Sequence, residues 1–138
     1  MFSFSTDYFL FVFVSAVGVI QISACLGDLR GLMLLRSKLL TWAFGLVLPV
    51  SAAIWFFSTE TRNINDYDGG LDANEQALFF SLGAVSALGA SLLLSSVVNV
   101  RMKGEDGVKG AGFESLKSAS YARAAARSLR HWWLEWRT

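Results

Sequence analysis

Three stretches of this chain carry no Asp, Glu, Lys, Arg or His: residues 8–27, 39–59 and 76–100. An α-helix rises about 1.5 Å per residue, so roughly 20 residues cross a hydrocarbon core about 30 Å thick. All three stretches reach that length. A buried helix of a soluble protein this size is normally shorter and carries a polar stripe. The Phe- and Val-rich start of the first stretch is no obstacle, because lipid leaves the backbone no partner outside its own helix. Only 17% of residues are charged, against about 25% in soluble domains, so water is a poor solvent for this chain.

The expected fold class is an all-α integral membrane protein: three transmembrane helices plus a C-terminal amphipathic interfacial helix. Residues 1–100 form the transmembrane domain, with spans at about 8–26, 39–57 and 76–100. Residues 101–138 form a Gly-containing linker and a basic, Trp-rich tail helix. The linker is punctuated by Gly104, Gly107, Gly110 and Gly112, and the composition turns helical from about Phe113.

Charge orients the chain. The loop at 27–38 holds Asp28 against Arg30, Arg36 and Lys38, a net +2. The tail from 101 carries eight Lys or Arg and four Asp or Glu, a net +4. The loop at 60–75 carries Glu60, Asp66, Asp68, Asp72 and Glu75 against Arg62, a net −4. Three spans force the first loop and the tail onto one side, and both are basic. Basic flanks stay in the cytoplasm. The expectation is a multi-pass protein of a bacterial inner (plasma) membrane, N-terminus outside and tail inside. Within the first loop, Arg30 and Arg36 bracket apolar residues, which suits a segment lying at the headgroup surface. Asp68-Gly69-Gly70 signals a turn, and Asp72 or Asn74 is placed to cap the third span.

Several side chains stand out. In the third span Gly83, Ala87, Ser91 and Ser95 recur every four residues and Asn99 continues the row. That spacing puts them on one helix face, where another backbone can approach closely. The first span offers Ser15 and Gly18, and its Gln21 is the most polar interior side chain of any span. An amide facing lipid would lack partners, so Gln21 is expected to bond another helix. In the second span Trp42 and Trp55 are separated by roughly 20 Å of helix, which puts one indole near each interface. Pro49 lies between them and predicts a bend near Gly45.

In the tail, Arg123, Arg127, Arg130 and Arg137 fall within an arc of about 80° on a helical wheel. Ala122, Ala125, Leu129, Trp132, Trp133 and Trp136 occupy a separate arc of about 100°. A basic stripe beside a Trp-rich stripe suits a helix in the membrane interface, anchored on lipids that include anionic ones. The competing reading docks it on a partner subunit, where Trp and Arg are common anchors.

Motifs of chemistry are weak. The glycines after 103 lack the Gly-Lys-Ser/Thr ending of a phosphate loop, and Asp66-Tyr67-Asp68-Gly69-Gly70 lacks the spacing of a calcium loop. His131 is the sole histidine and Cys25 the sole cysteine. Neither has the partners that a metal site or nucleophile needs. Ile22-Ser23-Ala24-Cys25 has the form of a lipobox, but no Lys or Arg precedes the apolar run, so it reads as a small-residue patch. No ionisable group other than Cys25 and Tyr8 lies in the three spans, which disfavours proton pumps, ion-coupled transporters and voltage sensors. No catalytic residue, cofactor or metal is assigned, and no nucleic-acid motif is present. The leading expectation is a non-catalytic accessory or structural subunit, packed by small-residue faces against larger membrane subunits. The alternative is a homo-oligomeric channel or small transporter, with Gly83, Ser91, Ser95 and Asn99 lining its pore.

Overall fold

A computed structural model describes residues 4–58, 71–100, 116–117 and 119–136, without the side chains of 127, 128, 131, 134 and 135. Most of the acidic loop and the glycine linker lie outside the described residues. Four helices follow in order: α1 (Phe4–Leu26), α2 (Lys38–Phe57), α3 (Ala73–Val98) and α4 (Tyr121–Glu135), with one short 3-10 turn at Arg30–Leu32. Among the described residues there is no strand. The first three helices, of 23, 20 and 26 residues, are long and apolar enough to cross a membrane. This is a multi-pass membrane protein by length and composition.

The helix limits follow local chemistry. α1 starts at Phe4 and takes Asp7 into its first turn, where a carboxylate meets the positive end of the helix dipole. α3 starts where Asp72 caps it. The Asp72 carboxylate accepts the Glu75 N–H at 2.8 Å, and the Glu75 carboxylate accepts the Asp72 N–H at 3.4 Å, a reciprocal capping box. At the start of α2, the Ser37 hydroxyl accepts the Leu40 N–H at 3.5 Å. α2 then runs without interruption through Pro49.

α1 is the central element. It packs on α2 along one side and on α3 along another, whereas α2 and α3 share no extensive contact. Near Phe4 the α1–α2 seam is aromatic: Phe4, Tyr8 and Phe11 meet Phe56, and the Phe11 and Phe56 rings stack at 4.8 Å. At mid-height the seam narrows to glycine on glycine. A Cβ built on Gly18 would lie 2.5 Å from Pro49 Cδ and 2.7 Å from the Gly45 carbonyl oxygen. Pro49 has no N–H to bond that carbonyl, which turns toward Gly18 and suits a Cα–H···O contact.

The α1–α3 seam uses the small row of α3. Gly83, Ala87, Ser91 and Ser95 are the buried residues of that helix. A Cβ on Gly83 would lie 2.9 Å from Val12 Cγ1 and 3.2 Å from the Phe9 carbonyl oxygen. Most of the remaining helix surface faces outward. Only 22%, 22% and 17% of the three apolar windows are buried, as helices solvated by lipid require.

The loop and the tail are packed. Gly31 and Met33 of the first loop are buried. Side chains from three helices draw its backbone down over their ends. The residues around Phe113, where the composition turns helical, lie outside the described residues, and the tail helix α4 begins at Tyr121. The backbone before it is spent on packing: the Ala119 carbonyl points at Gly31 and cannot join a helical ladder.

Candidate functional site at the basic end

The C-termini of α1 and α3, the N-terminus of α2, the loop at 27–38 and the tail segment from 116 all meet at one end of the molecule. This basic end holds most of the bonded polar side chains of the apolar helices.

It begins with how α1 stops. The Leu29 N–H donates to the Ala24 carbonyl at 2.8 Å and the Asp28 N–H to that of Cys25 at 3.3 Å. This is a Schellman ending, and its left-handed residue is Asp28, with φ 53°. The turn places the Asp28 carboxylate 2.9 Å from Lys38 Nζ and 3.6 Å from Arg30 Nε. The hydrogen bond from Lys38 holds the Asp28 carboxyl below its ordinary range. Desolvation opposes this shift, and the Lys38 and Arg30 charges reinforce it.

The loop then runs across the helix ends, and its backbone groups find side-chain partners. Asn99 Nδ2 donates to the Met33 carbonyl at 2.8 Å and reaches the Gly31 carbonyl at 3.4 Å. Gln21 Oε1 accepts the Leu34 N–H at 2.9 Å, and its Nε2 donates to the Leu32 carbonyl at 3.4 Å. Thr41 Oγ1 lies 3.1 Å from the Leu35 carbonyl and 3.0 Å from that of Ser37. Cys25 Sγ donates to the Lys38 carbonyl at 3.4 Å. Buried backbone groups must be paired, and this collar pairs those of an irregular loop from α1, α2 and α3 together.

The tail forms the roof. Leu116, Ala119, Ser120 and Ala124 are buried. A Cβ on Gly31 would collide with the Ala119 carbonyl and lie 2.9 Å from the Leu116 carbonyl oxygen. Only glycine lets the two backbones meet there. Contact between α3 and α4 continues the seat. Beyond it α4 is exposed at Leu129, Arg130, Trp132, Trp133 and Trp136, and the Trp132 and Trp136 rings lie 5.3 Å apart.

The residues singled out from the sequence separate into three places. Gln21 and Asn99 join the collar, though Gln21 bonds loop backbone rather than a side chain of another helix. Gly18 lies in the α1–α2 seam, and Gly83, Ala87, Ser91 and Ser95 in the α1–α3 seam. Ser95 Oγ donates to the Leu92 carbonyl at 3.1 Å. Ser15 Oγ and Ser91 Oγ are buried without a hydrogen-bond partner among the described residues. Trp42 and Trp55 are exposed on α2, and Arg123 and Arg130 on α4. The side chain of Arg127 lies outside the described residues, as does that of His131.

Sequence reasoning missed Gly31, Met33 and Thr41, and named Gly45 only as the place of a bend. Thr41, Gly45, Ala52 and Phe56 are the buried face of α2. Their spacing of four, seven and four was a readable signal. Gly31 carried none, because its partner lies about 90 residues later in the chain. Among the described residues no cluster of His, Cys, Asp and Glu is arranged to hold a metal ion. The chemistry on view is hydrogen bonding that fixes a loop and a tail to three helix ends. Comparison of the chain with protein-family models, curated proteins and solved structures finds no match.

Proposed function

We propose that this chain is a non-catalytic accessory subunit of a larger membrane protein complex. In this reading it lies in a bacterial inner membrane, N-terminus outside, with loop and tail at the cytoplasmic face. The observation that supports it best is how α1 is packed: flanked by α2 and α3, not enclosed by them. Three helices arranged side by side leave broad faces for neighbours. One is a strip of α1 near the basic end, where Val19, Ser23 and Leu26 are exposed at helical spacing.

Two further features fit. Gln21, Thr41 and Asn99 are engaged in holding the loop, which is structural work. The basic loop and tail share one end, in keeping with cytoplasmic basic flanks. The pore reading loses support from the same geometry. Gly83, Ser91 and Ser95 are buried within the chain and Asn99 is bonded to the loop, so they offer no free lining.

Purification of the natively expressed protein in a mild detergent tests the proposal. A membrane protein recovered in fixed stoichiometry with this chain is the expected result. A chain that always runs alone, at the mass of its monomer or of a homo-oligomer, would overturn it.

A further inference from the structure

The geometry points to α4 as a lipid-binding helix that lies in the headgroup plane and selects anionic phospholipid. The inference rests on the membrane reading of α1 to α3, not on the existence of a partner subunit.

The seat at Gly31 fixes where α4 can be. Asn99, one residue beyond α3, bonds the loop at Gly31 and Met33. The tail backbone packs on that same Gly31 at Leu116 and Ala119. Two residues after Ala119, α4 begins, and Ala124 in its first turn is buried. The helix therefore starts level with the end of a membrane span. Its 15 residues reach about 22 Å. A helix rooted at that level has the membrane surface within reach from its first turn.

Its exposed side chains match that surface. Leu129 is 65% exposed, Trp132 56% and Trp136 77%, and nothing else in the described chain covers them. On the helical wheel these residues share one arc, about 80–140° round from the buried Ala124. Arg130 lies on the adjoining arc, about 100° from Leu129, whereas Arg127 falls nearer Ala124 and opposite Trp136. Indoles sit at the level of glycerol and headgroup, and guanidinium groups meet phosphate with paired donors. An apolar stripe beside a cationic one therefore fits an anionic bilayer surface better than a zwitterionic one.

Tryptophan fluorescence of the full chain, purified and reconstituted alone, tests this. With Trp42→Phe and Trp55→Phe, the tail indoles are the only tryptophans left. In vesicles of phosphatidylcholine with phosphatidylglycerol, their emission should shift to the blue. They should be quenched by lipid brominated near the headgroup and shielded from acrylamide. Phosphatidylcholine alone, or high salt, should weaken all three effects. Arg130→Gln should lower the ratio of docked to undocked tail by roughly fivefold, and Arg127→Gln, on the opposite side from Trp136, should lower it less.

Tail indoles open to acrylamide and untouched by brominated lipid in the anionic vesicles would overturn the proposal. Equal protection in both vesicle types would overturn the anionic selectivity. Protection that appears only when a co-purified protein is added would assign the face to that protein instead. A companion variant keeps Trp42 and Trp55 and replaces the tail tryptophans by Phe. If its indoles escape lipid brominated near the headgroup and lipid brominated deeper alike, the membrane reading fails and this inference with it. If they are quenched and the tail is not, only the inference falls.

Discussion

At the scale of single residues, Gly18 is the most crowded glycine of the three long helices. Its neighbours are Pro49 Cδ and the carbonyl that Pro49 leaves without a helical partner. Gly18→Ala puts a methyl group 2.5 Å from one and 2.7 Å from the other. The helices must separate, at a cost of about 1–3 kcal/mol, as in other overpacked cores. Pro49→Ala removes the ring and returns an N–H to the Gly45 carbonyl. The Gly18→Ala penalty should therefore shrink in that background, a coupling that a double-mutant cycle in mixed micelles would read. Additive penalties would show that Pro49 does not shape the crossing. Asp28 is a second informative residue, because it has a left-handed backbone and a charged partner. Asparagine tolerates that backbone and alanine does not, so stability should fall in the order Asp, Asn, Ala. The ionic part has a definite sign. The carboxyl is held low by Lys38, so its contribution is present above the ordinary carboxylate range, near pH 4. It is lost as the pH falls through the lowered native value. The gap between wild type and Asp28→Asn in a thermal melt should close in acid and narrow with salt, since the pair is exposed.

At the scale of elements, the loop between α1 and α2 behaves as part of the core. Asn99→Leu leaves the Gly31 and Met33 carbonyls without their side-chain donor. Each buried polar group left unpaired costs about 1–3 kcal/mol. The loop should loosen and the tail with it, because both backbones meet at Gly31. Hydrogen exchange should rise together at residues 29–35 and 119–124, while the mid-span amides of α2 stay protected. A rise confined to the loop would mean that the tail has an independent hold. The contrast with the spans marks what a sequence makes legible. The three membrane helices were readable because lipid imposes length and charge rules on each stretch separately. The row Gly83–Ala87–Ser91–Ser95 was readable as a packing face because its spacing is local. Which helix it would meet was not, since α1 and α2 both had apolar faces to offer. The collar was hardest to foresee. Gln21, Thr41 and Asn99 are far apart in sequence and converge only after the helices pack. Ser91 also changes meaning in this setting. Ser91→Leu would force α1 from α3 and lower stability, whereas in a pore-lining position it would narrow a channel without unfolding the chain.

At the scale of the whole molecule, the arrangement of ends carries a directional consequence. The collar and the tail seat bind residues 27–38, 99 and 116–124 into one end, so they lie on one side of any membrane the helices cross. α1, α2 and α3 then put the segment between α2 and α3 on the other side. The basic residues gather at the first end, and the proposed orientation, which rests on the positive-inside tendency, puts that end in the cytoplasm. Cys25 is the sole cysteine, so a Cys25→Ser background yields clean single-cysteine variants. Its thiol gives only a 3.4 Å bond to the Lys38 carbonyl, which a hydroxyl can replace. In intact cells an impermeant maleimide should label a cysteine at Asp66 and spare one at Arg36 or Trp136. Permeabilisation should open both of the latter together. Labelling at Arg36 and Trp136 but not Asp66 would invert the orientation while leaving the fold intact, because the shared end is fixed by contacts and the assignment of sides by charge. Labelling at Arg36 and sparing at Trp136 would be more damaging. It would separate two segments that meet at Gly31, and no three-helix packing with that contact survives the separation.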